Sequence, residues 1–183
     1  CSKLASIKIP AGLTTIGSTA FSGCGFTTAG PTGSGCDYEF PWTTSIPDNA
    51  FRGCGKLTSV EIPAGVTKIG TYAFYSCSSL TGIRIPSGVT SIGKYAFYSC
   101  SSLTGIQIPA GVKTIDADTF ERCSALTSID IPSGVTTIGS AAFKDCSNLA
   151  KITVPASVTK VSNNAFAGCP LETAGPTGSD CDY

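Results

Sequence analysis

Apolar side chains recur along this chain on a fixed interval. In the stretch that runs from Cys54 they stand at Leu57, Val60, Ile62, Val66, Ile69, Ala73 and Phe74 before Cys77 closes the unit, and the next stretch repeats them as Leu80, Ile83, Ile85, Val89, Ile92, Ala96, Phe97 and Cys100. Cysteines at 1, 24, 54, 77, 100, 123, 146 and 169 mark a step of 23 residues, broken once by the 30 between Cys24 and Cys54. A fixed period in the twenties is the signature of stacked coils. Within each unit the run Leu-x-x-Ile-x-Ile-Pro alternates apolar with polar positions and is β-branched, which predicts a short strand with one buried face. Pro10, Pro63, Pro86, Pro109, Pro132 and Pro155 offer no amide hydrogen and end that strand. A second apolar pair, such as Val66 and Ile69, predicts a second short extended segment, and the Ala-Phe step before each cysteine predicts a helical or 3₁₀ turn. The expected architecture is a β-rich solenoid of right-handed coils, with a parallel sheet on one face and short extended or helical turns on the others. Seven coils at about 4.8 Å would make a stack about 35 Å long. One coil cannot bury its apolar groups alone, so the interfaces between coils carry the stability.

The period divides the chain, as one solenoid over residues 1–183, into coils at 1–23, 24–53, 54–76, 77–99, 100–122, 123–145, 146–168 and 169–183, the second long and the last a partial copy of it. The long coil lacks the strand signature, holds the one tryptophan, Trp42, and regains register at Ser45-Ile46-Pro47-Asp48-Asn49-Ala50-Phe51. Tyr38 and Phe40 are its expected inward strand residues. Thr173-Ala174-Gly175-Pro176-Thr177-Gly178-Ser179 repeats Thr28-Ala29-Gly30-Pro31-Thr32-Gly33-Ser34, which sets a second period of 145 residues, from Cys24 to Cys169. That super-period suggests a piece of a longer array.

The coil Cys-Ser-x-Leu-Thr-x-Ile-x-Ile-Pro-x-Gly-Val-Thr-x-Ile-Gly-x-x-Ala-Phe-x-x-Cys closely resembles the BspA-like leucine-rich repeats of bacterial and protozoan surface proteins. The likeness covers nearly the whole chain and points to a repeat solenoid of leucine-rich-repeat type. It also implies an extracellular, adhesin-like role.

Composition narrows the chemistry. Apolar residues make up 42% of the 183, charged residues only 13%, and the formal net charge is zero, so no field attracts nucleic acid or an anionic membrane. No run of 18 apolar residues is present for membrane insertion. With no histidine among 183 residues, Cys-His catalysis is excluded, and the ten cysteines lack zinc-site spacing. Cysteines stacked one coil apart point in parallel, which opposes disulfide torsion, so they are expected as free thiols packed as small apolar groups. Cys36 and Cys181 lie off the column, and whether Cys24 and Cys36 are joined stays open. The glycine-rich Gly30-Pro31-Thr32-Gly33-Ser34-Gly35 stretch has no Lys-Ser/Thr after it and is expected as a surface loop in place of a phosphate cradle. Asp37 with Glu39, and Asp180 with Asp182, are too few for a calcium cage. Asp116, Asp118 and Glu121 are expected on a solvated edge. No metal, cofactor or catalytic residue is assigned.

Binding surface is the remaining candidate. The outward strand columns, Lys8, Glu61, Arg84, Gln107, Asp130, Thr153 and Ser6, Ser59, Gly82, Gly105, Ser128, Lys151, lack aromatic anchors. Tyr72 and Tyr95 share one column of the Ala-Phe side, and Tyr75 and Tyr98 share another. These four tyrosines, with Trp42, form the expected contact surface for an extracellular protein or glycan. The expectation is a non-catalytic, monomeric binding module at the cell surface; a structural stalk or spacer is the alternative.

Overall fold

The structure, a computed structural model, describes residues 3–4, 7–8, 19, 21–31, 38–40 and 44–171. It is a solenoid built from two ranks of short parallel strands. The first rank holds Ile7–Lys8, Thr28–Pro31, Tyr38–Phe40, Ser59–Val60, Gly82–Ile83, Gly105–Ile106, Ser128–Asp130 and Lys151–Thr153. The second holds Ser45–Ile46, Lys68–Ile69, Ser91–Ile92, Thr114–Ile115, Thr137–Ile138 and Lys160–Val161. Register follows the repeat, with Lys68 opposite Ser91, Gly82 opposite Gly105, and Ser128 opposite Lys151. Equivalent residues therefore stack on their own copies.

The strand pattern works as the alternation dictates. Val60 and Ile62, Ile83 and Ile85, Ile129 and Ile131 are buried while Glu61, Arg84 and Asp130 between them face solvent. Hydroxyls bond the coil behind: Thr67 Oγ1 donates to the Thr44 carbonyl at 3.2 Å, and Ser101 Oγ to the Ser78 carbonyl at 3.4 Å.

The third side differs from its expected form. No helix occurs among the described residues. In the coil of Tyr72, alternate amides point in different directions: Ala73, Tyr75 and Cys77 close tight turns onto Gly70, Tyr72 and Phe74, whereas Tyr72, Phe74 and Ser76 donate to Lys94, Ala96 and Tyr98 of the next coil. Helical residues would send every amide back along their own coil, so coils could not bond to one another on this side. Left-handed residues make the alternation work. They form two columns, Asn49, Tyr72, Tyr95, Asp118, Ala141 and Asn164, and Gly53, Ser76, Ser99, Arg122, Asp145 and Gly168, with φ between 53° and 79°.

Inside, Phe51, Phe74, Phe97, Phe120, Phe143 and Phe166 stack ring on ring at 5.2 to 5.5 Å. Cysteine runs beside them. Each thiol donates to the phenylalanine carbonyl of the coil behind: Cys77 to Phe51 at 3.1 Å, Cys100 to Phe74 and Cys123 to Phe97 at 3.2 Å, and Cys146 to Phe120 at 3.1 Å. Cys24, Cys54, Cys77, Cys100, Cys123, Cys146 and Cys169 are free thiols. Cys1, Cys36 and Cys181 lie outside the described residues.

The long coil contributes two strands. Thr28–Pro31 takes the regular place, with Ala29 opposite Val60 and buried beside it. Tyr38–Phe40 is an added strand between Thr28–Pro31 and Ile7–Lys8. The expected replacement strand at Tyr38 and Phe40 is thus an insertion, because Thr28-Ala29 already satisfies the register of Ser59-Val60. Gly30 likewise belongs to this strand and is buried, not part of a surface loop; positions 32–35 lie outside the described residues. Register returns at Ser45–Ile46, which pairs with Lys68–Ile69.

Candidate functional site

The turn side carries two outward columns, each set by the 23-residue step. One reads Asn49, Tyr72, Tyr95, Asp118, Ala141, Asn164, and the other Arg52, Tyr75, Tyr98, Glu121, Lys144, Ala167. Since copies stack directly, like residues on adjacent coils meet.

Tyr72 stacks on Tyr95 at 4.7 Å with 6° between the ring planes, and Tyr75 stacks on Tyr98 at 4.8 Å with 4°. Across the columns, Tyr72 meets Tyr75 edge-on at 5.6 Å, and Tyr95 meets Tyr98 at 5.9 Å. The four rings form one two-by-two block, all half-buried. The expected patch is therefore brought together as a unit. Trp42 lies outside the described residues, as do the side chains of Tyr38, Phe40 and Glu39, and Asp37, Asp180 and Asp182.

Two arginines frame the block. The Arg52 guanidinium sits 5.0 Å from the Tyr72 ring centre and 5.1 Å from that of Tyr75, and it donates to Asn49 Oδ1 at 3.2 Å. Arg122 lies 5.7 Å over Tyr98. The flat faces of Tyr72 and Tyr75 are thereby covered on one side by the next ring and on the other by Arg52, and Tyr98 is enclosed by Tyr75 and Arg122. What the block presents outward is ring edges and phenol groups.

An acidic pair follows. Asp118 and Glu121 occupy the next place in the two tyrosine columns, and they depart from the solvated edge expected of them. The Glu121 side chain is only 8% exposed, and it pairs with Lys144 Nζ at 3.5 Å and Arg122 Nε at 3.8 Å; Arg122 also reaches Asp145 at 3.7 Å. Burial, followed by a hydrogen bond shared with Asp118, raises the Glu121 carboxyl above the usual range, with Lys144 opposing. A hydrogen bond to Asp118 holds the Tyr95 phenol protonated beyond its ordinary range, and burial with the nearby Glu121 charge does the same for Tyr98. Arg52 and Arg122 were not singled out from the sequence, although the same step that aligned the tyrosines places Arg52 in the column of Tyr75 and Tyr98.

A second feature lies on the first strand rank. An open groove of about 760 Å³ runs where the long coil meets the regular ones, lined by Thr28, Ala29, Glu61, Pro63, Arg84 and Pro86. Among the described residues, no group of three or more Cys, Asp or Glu is placed to hold a metal ion, and no helix is long and apolar enough to cross a membrane.

The repeat decides the family. A model described as the BspA type leucine rich repeat region matches in six copies, over residues 1–30 and 44–172. The chain belongs to this family. Among solved structures, this BspA-type chain is similar to the T. pallidum Leucine Rich Repeat protein, at 27% identity and TM-score 0.64, over 82% of this chain and 85% of that one. A leucine-rich repeat protein from Eubacterium ventriosum matches at 26% identity and TM-score 0.65, over 90% of this chain and 48% of its own. The pneumococcal vaccine antigen PcpA, at 14% identity and TM-score 0.54 over 85% of this chain and 48% of its own, shares the fold. This chain therefore spans about half the length of the latter two. No curated protein matches it.

Proposed function

We propose that this BspA-type solenoid is a non-catalytic binding scaffold, displayed outside the cell, whose contact surface is the tyrosine block of Tyr72, Tyr75, Tyr95 and Tyr98. The single observation that carries the proposal is the block itself: four aromatic residues locked edge-out on adjacent coils. Tyrosine gives large contact area with few torsions to freeze and a polar handle at its tip. Stacking has already fixed those torsions. Backbone strain supports a role beyond filling, since Tyr72 and Tyr95 both hold φ 57° at a position where other coils place Asn, Asp or Ala.

The geometry favours a polypeptide partner over a glycan. Sugar C–H groups pack on the electron-rich face of a ring, and in Tyr72, Tyr75 and Tyr98 both faces are occupied. Edges and phenols instead suit carbonyl and carboxylate acceptors. The surface role rests on the family resemblance, and the burial of Cys24, Cys54, Cys77, Cys100, Cys123 and Cys146 keeps these free thiols out of reach in an oxidising setting.

The test replaces Tyr72, Tyr75, Tyr95 and Tyr98 together by Ser and compares capture of immobilised extracellular-matrix protein and of mucin. Matrix capture should fall at least about tenfold, with far-ultraviolet circular dichroism unchanged. Unaltered capture of matrix protein would reject the block as the contact surface, and a stalk would then account better for the chain.

A further inference from the structure

The charges around the tyrosine block are arranged so that the stripe is complementary to itself turned end for end. On one flank stands Arg52, with no described carboxylate within ion-pair distance. On the other flank stand Asp118, Glu121 and Asp145 against Arg122 and Lys144, three acids to two bases, a net charge of minus one. Between them lie two coils of tyrosine, whose phenols both donate and accept. The tyrosine coils are the middle two of four: Arg52 is in the first, and Asp118 with Glu121 is in the fourth.

We propose that the partner of this stripe is a second copy of the chain, docked antiparallel about a two-fold axis that crosses the stack between the Tyr72 and Tyr95 coils. That operation lays Tyr72 and Tyr75 of one copy on Tyr95 and Tyr98 of the other, column on column. It also brings Arg52 and Asn49 of each copy to the acidic end of its mate, where Asp118 is the half-exposed carboxylate and Glu121, only 8% exposed, adds its charge from behind the surface. Both ends of the stripe are satisfied at once, as an isologous contact requires. A parallel two-fold would instead set the two Arg52 side chains close together, so the same charges select the antiparallel form. It departs from the monomer expected from the sequence. It rests on the reading of the tyrosine block as the contact surface and adds the identity of what it contacts.

The contact is small. Four coils span roughly 19 Å, and the stripe covers well under the about 800 Å² per partner of a standard interface. A single contact is therefore weak and reversible, and strength comes from many copies side by side.

Charge exchange tests the pairing directly. Arg52→Glu sets a new carboxylate against the mate's acidic pair at both ends of its own dimer, and Asp118→Arg sets a new guanidinium against the mate's Arg52 at both ends; the left-handed position accepts arginine, as Arg122 does at φ 61°. Each variant alone should self-associate at least about tenfold more weakly than the parent in sedimentation equilibrium. Mixed one to one, the two variants should recover association, because one end of the mixed pair keeps Arg52 against Asp118 and Glu121 while the other sets the new carboxylate against the new guanidinium. Recovery also shows that both variants are folded. A parent chain that stays monomeric up to about millimolar concentration, a range that covers weak contacts, overturns the proposal, and so does a mixture that fails to recover. The matrix-capture experiment keeps the two readings apart: lost capture by the four-tyrosine variant, with a monomeric parent, removes the second copy but leaves the block as a contact surface for another protein.

Discussion

Tyr72, Tyr95 and Ala141 hold φ of 57°, 57° and 53°, where the Cβ atom crowds the following carbonyl. That crowding costs about 1–2 kcal/mol per residue. Asn49, Asn164 and Asp118 in the same column bear it more easily, because short polar side chains bond their own backbone. Ala141 has no such help. Ala141→Gly is expected to raise unfolding free energy by about 1 kcal/mol in urea, whereas a loss would mean that its buried methyl outweighs the strain. The left-handed turns were legible in outline: Asn49 and Asn164 stand at the ends of one column, and Gly23, Gly53 and Gly168 toward the ends of the other. Tyrosine, serine and arginine between them obscured the signal, since their type says nothing about φ. Hence the helical turn expected from the Ala-Phe step.

At the scale of the element, the phenylalanine ladder and the thiol column form one device. The Phe51 carbonyl accepts both the Cys54 amide of its own coil and the Cys77 thiol of the next, and this pattern recurs at Phe74, Phe97 and Phe120. Cysteine fits because it is small, apolar and still a weak donor. Phe97 stacks on Phe74 at 5.2 Å and on Phe120 at 5.5 Å, so its removal breaks the ladder and leaves each of them stacked on one side only. Phe97→Ala should cost about 3–5 kcal/mol in urea unfolding, and a cost below about 1 kcal/mol would mean the coils close over the gap. The strands themselves were readable from alternation and β-branched residues. The added strand Tyr38–Phe40 was not, because the long coil breaks the period that made every other strand visible. The tyrosine block was legible as two columns, but its orientation depended on ring planes that no spacing encodes.

Across the whole molecule, the thiol column ties stability to alkaline pH. Burial pushes the Cys123 thiol from its ordinary 9.0 up to about 12, and raises Cys77 and Cys100 well above it. Cys146 is raised by its hydrogen bond with Cys169 and then by burial. A thiol raised in the folded state favours folding fully below 9.0. Above that value the unfolded chain releases protons that the folded chain keeps, and each fully buried thiol then withdraws about 1.4 kcal/mol per pH unit. Melting temperature should hold steady from pH 7 to pH 8.5, then drop steeply by pH 10.5. A flat profile across that span would mean the thiols ionise in place. Bonding between coils has a mechanical side as well. Strand ladders, turn amides and hydroxyl ladders all run along the stack, from each coil to the next. A pull on the two ends loads these interfaces in series, like links of a chain, so only the weakest yields. Each 23-residue coil that peels away releases about 80 Å of slack and relieves the tension on the coils still stacked.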